Sequence, residues 1–277
     1  MSNQIYPGLD EFNVEFSLYG GCRVNCSYCP HLEIAKRVDS KKLTLENFKK
    51  IIDVIPKNVG VGFSGMVEPL LHPDFYNMVE YVKIKGNKLI CCSTLPSDYL
   101  KNIECFLDDR IWSYRSVHLR DEFMSYKKED KEYYKSLEVY FNSVVKDKTK
   151  NEIYYHTKKL DSYVVELINK YGLKNNVTFV EPYKRINAPI KYKANDNRLK
   201  KGKIKCSHNH HKVTHILPDG YAVLCCMDVQ KNHVLGNLLS SEYVSILQSN
   251  EYRKVLTGFE DESLNTICRY CVFAEEI

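Results

Sequence analysis

The sequence predicts an α/β fold of parallel βα units, arranged as a sheet or an open barrel, with a small β-hairpin module behind it. Three observations carry this reading. Six short apolar runs between Val14 and Val180 alternate with stretches of helical periodicity. The alternation stops near Pro189, where a Lys-rich stretch begins. Beyond it the turn Pro218-Asp219-Gly220 joins two further apolar runs as a hairpin.

The elements follow in order. Val14 to Tyr19 alternates and ends at Gly20-Gly21, as a strand entering a loop does. Thr44 is placed to cap a helix whose apolar face is Phe48, Ile51, Ile52 and Ile55, and Pro56 ends it. Val59 to Phe63 reads as a second strand, and Asp74 to Lys85 as a helix stopped by Gly86. Lys88 to Ser93 is a third strand, followed by a helical stretch near Ser97 to Leu107. Ile111 to Arg120 is a fourth strand, with Val117 and Leu119 on one face and Ser116, His118 and Arg120 on the other. A helix from Glu129 to Val145, a strand from Glu152 to Thr157, a helix from Ser162 to Tyr171 and a strand from Val177 to Val180 complete the run. His215 to Leu224 forms the hairpin, and Ser240 to Leu247 a short helix. Residues 1–190 therefore read as one domain, and 191–277 as a linker and a second module. In parallel βα folds ligands gather at the carboxyl ends of the strands.

Bulk properties narrow the function. A chain of 277 residues accommodates one α/β domain of about 200 residues and a smaller module. A net charge of +5 is mild and demands no nucleic-acid partner. No apolar run approaches the roughly 18 to 20 residues that cross a bilayer, so no membrane partner is expected. Met1 to Asp10 lacks the pattern of a signal peptide, and the expected location is the cytoplasm.

Eleven cysteines in a reducing compartment point to metal or redox chemistry rather than disulfides. Seven fall into two sets: Cys22, Cys26 and Cys29, then Cys206, Cys225, Cys268 and Cys271. The first set offers three thiolates from one short loop. On a [4Fe–4S] cubane, three thiolates leave one iron without a protein ligand. The other reading is a zinc knuckle with His31 as fourth ligand. The second set offers four thiolates, enough for a complete [4Fe–4S] cluster or a structural zinc. Cys91, Cys92 and Cys105 read as core residues. Cys226, beside Cys225 on a strand, points to the opposite face; it is either a packed small side chain or a thiol hydrogen-atom donor.

The stretch Cys22-Arg-Val-Asn-Cys26-Ser-Tyr28-Cys29-Pro30 resembles the cluster loop of the radical S-adenosylmethionine (SAM) superfamily. Phe63-Ser64-Gly65-Met66-Val67-Glu68-Pro69-Leu70-Leu71-His72-Pro73-Asp74-Phe75 looks like that family's second segment, although Met66 and Val67 depart from its glycine-rich form. Cys92-Ser93-Thr94-Leu95 is similar to its third, with Leu95 where asparagine is usual. The resemblance implies a partial (β/α)6 radical SAM barrel. It further implies that Tyr28 lies near the adenine, that the backbone of Gly65, Met66, Val67 and Glu68 meets the methionyl amino group, and that Ser93 and Thr94 meet the ribose. Ser116 and His118 are further candidate SAM contacts.

The segment Leu217 to Cys226, then Val234-Leu-Gly236-Asn237, then Cys268-Arg-Tyr-Cys271, looks like the twitch form of the SPASM extension. It implies a small β-hairpin plus helix module holding one auxiliary [4Fe–4S] cluster on Cys206, Cys225, Cys268 and Cys271. The implied cofactors are two [4Fe–4S] clusters and S-adenosylmethionine, and the implied partner is a flavodoxin- or ferredoxin-type electron donor. Relatives with such modules include the alcohol dehydrogenase of butirosin biosynthesis, sugar and aminoglycoside epimerases, and peptide-modifying enzymes.

The expected reaction is oxidation of a carbinol on a small sugar, cyclitol or aminoglycoside-like substrate, with the auxiliary cluster as electron acceptor. Epimerisation with Cys226 as donor, peptide maturation, and a non-catalytic zinc protein are the alternatives. His118, Arg120 and Arg185 are the candidate catalytic side chains, with His118 a general base; His156 is a weaker one. The stretch Lys191 to Lys205 carries seven basic residues and one acid, and is either a solvated linker or a contact for an acidic or phosphorylated substrate.

Overall fold

The computed structural model describes residues 11–39, 41–125, 131–157, 159–181 and 199–277. Met1 to Asp10, Arg185, the proposed boundary at 190 and the linker up to residue 198 lie outside the described residues.

The first six strands are β1 (Asn13–Phe16), β2 (Gly60–Phe63), β3 (Leu89–Ser93), β4 (Tyr114–His118), β5 (Asn151–Tyr155) and β6 (Val177–Phe179). Each pairs in parallel with the next. Between them run α1 (His31–Ala35), α2 (Leu45–Val54), α3 (Phe75–Lys85), α4 (Leu100–Leu107), α5 (Lys131–Lys146) and α6 (Ser162–Lys170), and α2 to α6 lie side by side in chain order. Sequence and structure agree on every one of these strands, with ends shifted by a few residues. The fourth is shorter than expected: it begins at Tyr114, and Trp112 before it stacks on Phe75 with ring centroids 6.2 Å apart.

Local chemistry sets the helix ends. Thr44 caps α2 by accepting the Asn47 N–H (3.2 Å), and Asp161 caps α6. Gly86 ends α3 at φ 81°, a left-handed conformation that suits glycine. Phe16, Phe48, Phe63 and Phe75 fill the space between sheet and helices, with Phe16 and Phe48 centroids 5.1 Å apart. Arg115 is buried there too. Its guanidinium donates to the Phe106 carbonyl (2.6 Å) and to Asn151 Oδ1 (2.7 Å) and pairs with Asp109.

The C-terminal part adds β7 (Ile204–Cys206), β8 (Val213–Ile216), β9 (Tyr221–Val223), β10 (Val234–Asn237), α7 (Tyr243–Leu247), α8 (Asn250–Glu260) and β11 (Ala274–Glu276). The hairpin is where the sequence put it, but it is not a separate layer. Strand β8 pairs in parallel with β1, so one nine-stranded sheet runs β10-β9-β8-β1-β2-β3-β4-β5-β6. Helix α8 and the β7·β11 ladder were not read from sequence. Helix α8 has a sparse apolar stripe, with only Tyr252, Val255 and Gly258 buried, and the ladder joins segments about 70 residues apart. Among the described residues no helix is long and apolar enough to cross a membrane.

His72 links the second motif to this scaffold. It is fully buried, donates from Nε2 to the Leu43 carbonyl (3.1 Å) and accepts the Asp74 N–H at Nδ1 (3.1 Å). Burial, with the Lys42 charge nearby, lowers its pKa to about 4. Between about 4 and the ordinary 6.5 the unfolded chain binds a proton that the folded chain refuses, so stability is complete above 6.5 and falls as pH drops toward 4. The cost at pH 5 is about 2 kcal/mol. Thermal unfolding at pH 7.5 and pH 5 should therefore show a smaller acid shift for His72→Gln than for the wild type; equal shifts would contradict this.

Candidate active site

A cavity of about 320 Å³ opens at the carboxyl ends of β1 to β5. Its wall includes Cys22, Cys26 and Cys29, the segment Ser64 to Glu68, Ser93, Thr94, Tyr28 and His118. All three motifs thus share one space.

The cysteine loop is shaped by hydrogen bonds within itself and to residues 123–125. Asn25 takes φ 51°, and the Cys29 N–H donates to the Cys26 carbonyl (3.0 Å). Ser27 N–H donates to the Phe123 carbonyl (2.8 Å), and Ser125 N–H to that of Val24 (3.1 Å). His31 is part of this frame. Its Nδ1 accepts the Cys22 N–H (2.9 Å) and its Nε2 faces Asn25 Oδ1 (3.0 Å), so both ring nitrogens are engaged and neither is turned to a metal. That removes the fourth ligand of the zinc-knuckle reading.

The thiols suit an iron–sulfur cluster. Burial, with the charges of Glu68 and Cys29, pushes the Cys22 pKa up to about 12, and burial with the neighbouring thiols pushes Cys26 up further. Thiols held this way ionise only against a cation that takes them as ligands. The Glu68 N–H donates to Cys22 Sγ (3.3 Å), and a second backbone hydrogen bond comes from Val24. Backbone donors aimed at sulfur are what tunes a bound cluster.

Glu68 ties the second and third motifs together. Its Oε1 accepts from Ser93 Oγ (2.9 Å) and the Leu70 N–H (3.1 Å), and its Oε2 from the Thr94 N–H (2.6 Å) and Thr94 Oγ1 (2.7 Å). Complete burial still raises its pKa, although these bonds act the other way. Ser93 and Thr94 line the cavity, but both hydroxyl protons go to Glu68, so only oxygen lone pairs remain to meet a ribose. Met66 departs from glycine for a packing reason. Its side chain is buried in a cluster with Ile34, Val38, Leu217 and Val223, between the cysteine loop and the C-terminal hairpin.

Farther along the wall, Tyr28 lies edge-on to His156 (4.9 Å) and its hydroxyl is 3.3 Å from His118 Nδ1. His118 stacks on Tyr154 (4.8 Å), and its Nε2 is 3.1 Å from the buried Asp121 carboxylate. Desolvation lowers the His156 pKa to about 4, with His118 adding to it, so the ring is neutral at ordinary pH.

Several expected residues stand elsewhere. Ser116 is buried behind the wall, bonded to Cys92. Arg120 is braced over the Tyr133 ring (3.8 Å) and donates to the Leu95 carbonyl (3.0 Å), which is a bracing role and not one at the cavity wall. Cys226 is not among the cavity's lining residues. Cys91 and Cys105 are core, as expected, but Cys92 lines the cavity with its Sγ 2.8 Å from the Tyr154 hydroxyl. Period-two alternation along β3 puts Cys92 on the face of Thr94 and opposite Cys91, a signal that sequence reasoning passed over. Glu152 and Tyr154 also line the cavity and were missed; they share a face of β5 with His156.

A second, smaller cavity is lined by Cys206, Cys225, Cys268 and Cys271, with His210, His211 and apolar side chains around them. Thiols more than 40 residues apart in sequence are brought together by the β7·β11 ladder and the turn after β9. Burial and mutual repulsion raise Cys225 and Cys268 well above the usual thiol range, and Cys271 to about 11. None of the eleven cysteines is in a disulfide. Among the described residues, no three His, Cys, Asp or Glu side chains converge closely enough to hold a single ion.

Comparison with known proteins follows the same division. Residues 16–110 match the Radical SAM superfamily, and residues 206–272 match SPASM, an iron–sulfur cluster-binding domain. No curated protein matches the sequence. Among solved structures, BtrN in complex with AdoMet and 2-DOIA aligns at TM-score 0.58 and 13% identity, over 95% of this chain and 92% of that one. Native anSMEcpe with bound AdoMet aligns at 0.58 and 14%, over 94% and 86%. SuiB of Streptococcus suis bound to its precursor peptide SuiA aligns at 0.63 and 14%, over 94% and 70%. At these identities the alignments establish the fold, while the family matches establish the cofactors. The chain thus carries a Radical SAM domain, which implies a [4Fe–4S] cluster and S-adenosylmethionine, followed by a SPASM domain, which implies auxiliary iron–sulfur binding.

Proposed function

We propose that Cys22, Cys26 and Cys29 hold the cluster that binds S-adenosylmethionine, that Cys206, Cys225, Cys268 and Cys271 hold one auxiliary [4Fe–4S] cluster in a module spanning 191–277, and that the enzyme oxidises a carbinol of a small sugar-, cyclitol- or aminoglycoside-like substrate. The observation that carries the first part is the single cavity lined by the three thiols, Gly65 to Glu68, Ser93, Thr94 and Tyr28. When bound, the first cluster and S-adenosylmethionine supply a 5′-deoxyadenosyl radical that takes hydrogen from an unactivated C–H bond, and the auxiliary cluster supplies an electron acceptor.

The chain's own residues do the rest. The backbone from Gly65 to Glu68 offers its polar groups to the methionyl end, and Glu68 fixes that backbone against β3. Tyr28 and His156, packed edge to face with centroids 4.9 Å apart, give the cavity an aromatic wall for a flat ring to lie against. His118 is the general base. Asp121 accepts from Nε2 and stabilises the imidazolium once it forms, while Nδ1, 3.3 Å from the Tyr28 hydroxyl, is the proton-accepting nitrogen. The near end-to-end alignment with BtrN, a structure holding 2-DOIA, supports a small substrate. The SuiB and anSMEcpe structures with bound peptides support a peptide substrate as the competing reading.

One observation favours epimerisation as a second reading. Cys92 is a thiol on the cavity wall beside the Tyr154 hydroxyl, and it suits a hydrogen-atom donor better than Cys226 does. Turnover in deuterated water separates the two. Oxidation yields a ketone, whereas epimerisation leaves solvent deuterium at the inverted carbon and is lost in Cys92→Ala.

Two measurements test the cofactor assignment. Anaerobically reconstituted wild type should carry about eight irons per chain, and alanine at Cys22, Cys26 and Cys29 should leave about four and abolish 5′-deoxyadenosine formation. Two zincs and no cleavage would contradict it. Glu68→Gln sets an amide N–H2 against two of the four donors that now bond the carboxylate. It should retain iron but lose at least about tenfold in S-adenosylmethionine cleavage; wild-type cleavage would remove Glu68 from this role.

A further inference from the structure

Strands β1 and β8 lie side by side with Glu15 opposite His215. His215 is fully buried, and both ring nitrogens are engaged: Nδ1 is 2.9 Å from Glu15 Oε2 and Nε2 is 2.9 Å from Ser17 Oγ. Ser17, also fully buried, accepts the Met66 N–H at 3.4 Å. Ser64 donates its hydroxyl to the other Glu15 oxygen. One proton arrangement satisfies every group. Met66 N–H donates to Ser17, the Ser17 hydroxyl donates to Nε2, and Nδ1–H donates to the Glu15 carboxylate. In this arrangement the proton on Nδ1 is held by Glu15.

The ring also lies directly beneath Gly65. A Cβ built on Gly65, at φ 81°, would stand 2.3 Å from His215 Cε1. The backbone from Ser64 to Met66 is thus held at both ends by the Glu15–His215–Ser17 chain and seated on the imidazole in its middle. Serine, histidine and carboxylate in this order have the connectivity of a hydrolytic triad. Here neither the serine nor the histidine is accessible, and the serine oxygen already accepts an amide, so the assembly supports backbone rather than attacking a substrate.

We propose that His215 is a positioning residue for S-adenosylmethionine. Through it the C-terminal hairpin sets the Gly65–Met66 backbone that receives the methionyl group, so the module that carries Cys225 also tunes cofactor binding at the first site. This rests on the reading of Gly65 to Glu68 as the S-adenosylmethionine segment. The hairpin makes the link short: His215 pairs with Val223, and Cys225 follows two residues later.

The test is equilibrium binding of radiolabelled S-adenosylmethionine to anaerobically reconstituted wild type, His215→Phe, His215→Gln and Ser17→Ala, with iron content and visible absorption recorded for each. His215→Phe should keep wild-type iron and absorption but bind at least about tenfold more weakly. His215→Gln retains an amide that can donate to Glu15 and accept from Ser17, and should stay within about threefold of wild type. Ser17→Ala removes one oxygen from the chain and should weaken binding about fivefold or more. If His215→Phe fails to load iron, Ser17→Ala decides. Wild-type affinity in His215→Phe or, failing that variant, in Ser17→Ala would overturn the inference alone. A wild type that loads iron and binds no S-adenosylmethionine would overturn the underlying reading as well.

Discussion

The parallel pairing of β8 with β1 is the constraint on which the rest of the molecule depends. It brings a strand from beyond residue 200 against the first strand of the chain, in register from Asn13↔Val213 to Phe16↔Ile216. The hairpin thereby becomes an extension of the catalytic sheet rather than an appended lobe. His215 lands beneath Gly65, and Leu217 and Val223 close over Met66. The cysteine loop after β1 and Cys225 after β9 consequently follow strands of the same sheet.

Around that frame, the buried carboxylate and imidazoles that brace the motif loops are fully engaged. Glu68 accepts four hydrogen bonds, and His31, His72 and His215 each use both ring nitrogens. A buried carboxylate or imidazole left without partners would cost several kcal/mol, so each one carries information about what must be held still. The held elements are the loops at the carboxyl ends of β1, β2 and β3. On β4 and β5, Glu152, Tyr154, His156 and His118 line the far wall of the same cavity.

Much of this was legible in the sequence because it is local. Thiol spacing, strand-helix alternation and the Pro218-Asp219-Gly220 turn each lie within a few residues of one another. The three motif loops fall at strand ends because a parallel sheet leaves them nowhere else to fall. What was not legible is long-range. Nothing near His215 announces that it faces Glu15, two hundred residues earlier, and nothing near Arg120 says that it rests on Tyr133. Cys92 reads as core together with Cys91 and Cys105, yet adjacent strand residues face opposite sides and Cys92 lines the cavity. His31, offered as a zinc ligand by its spacing, serves the cysteine loop because the Cys22 amide needs an acceptor.

The proposed site turns on one iron of a cluster held by Cys22, Cys26 and Cys29 staying open to S-adenosylmethionine. Electron–nuclear double resonance on the reduced protein with S-adenosylmethionine labelled with nitrogen-15 at its amino group measures this directly. A nitrogen-15 coupling to the cluster is expected in the wild type and is absent when Cys22, Cys26 and Cys29 are replaced. Bound S-adenosylmethionine with no such coupling, in a protein whose cluster is intact and reduced, would contradict it.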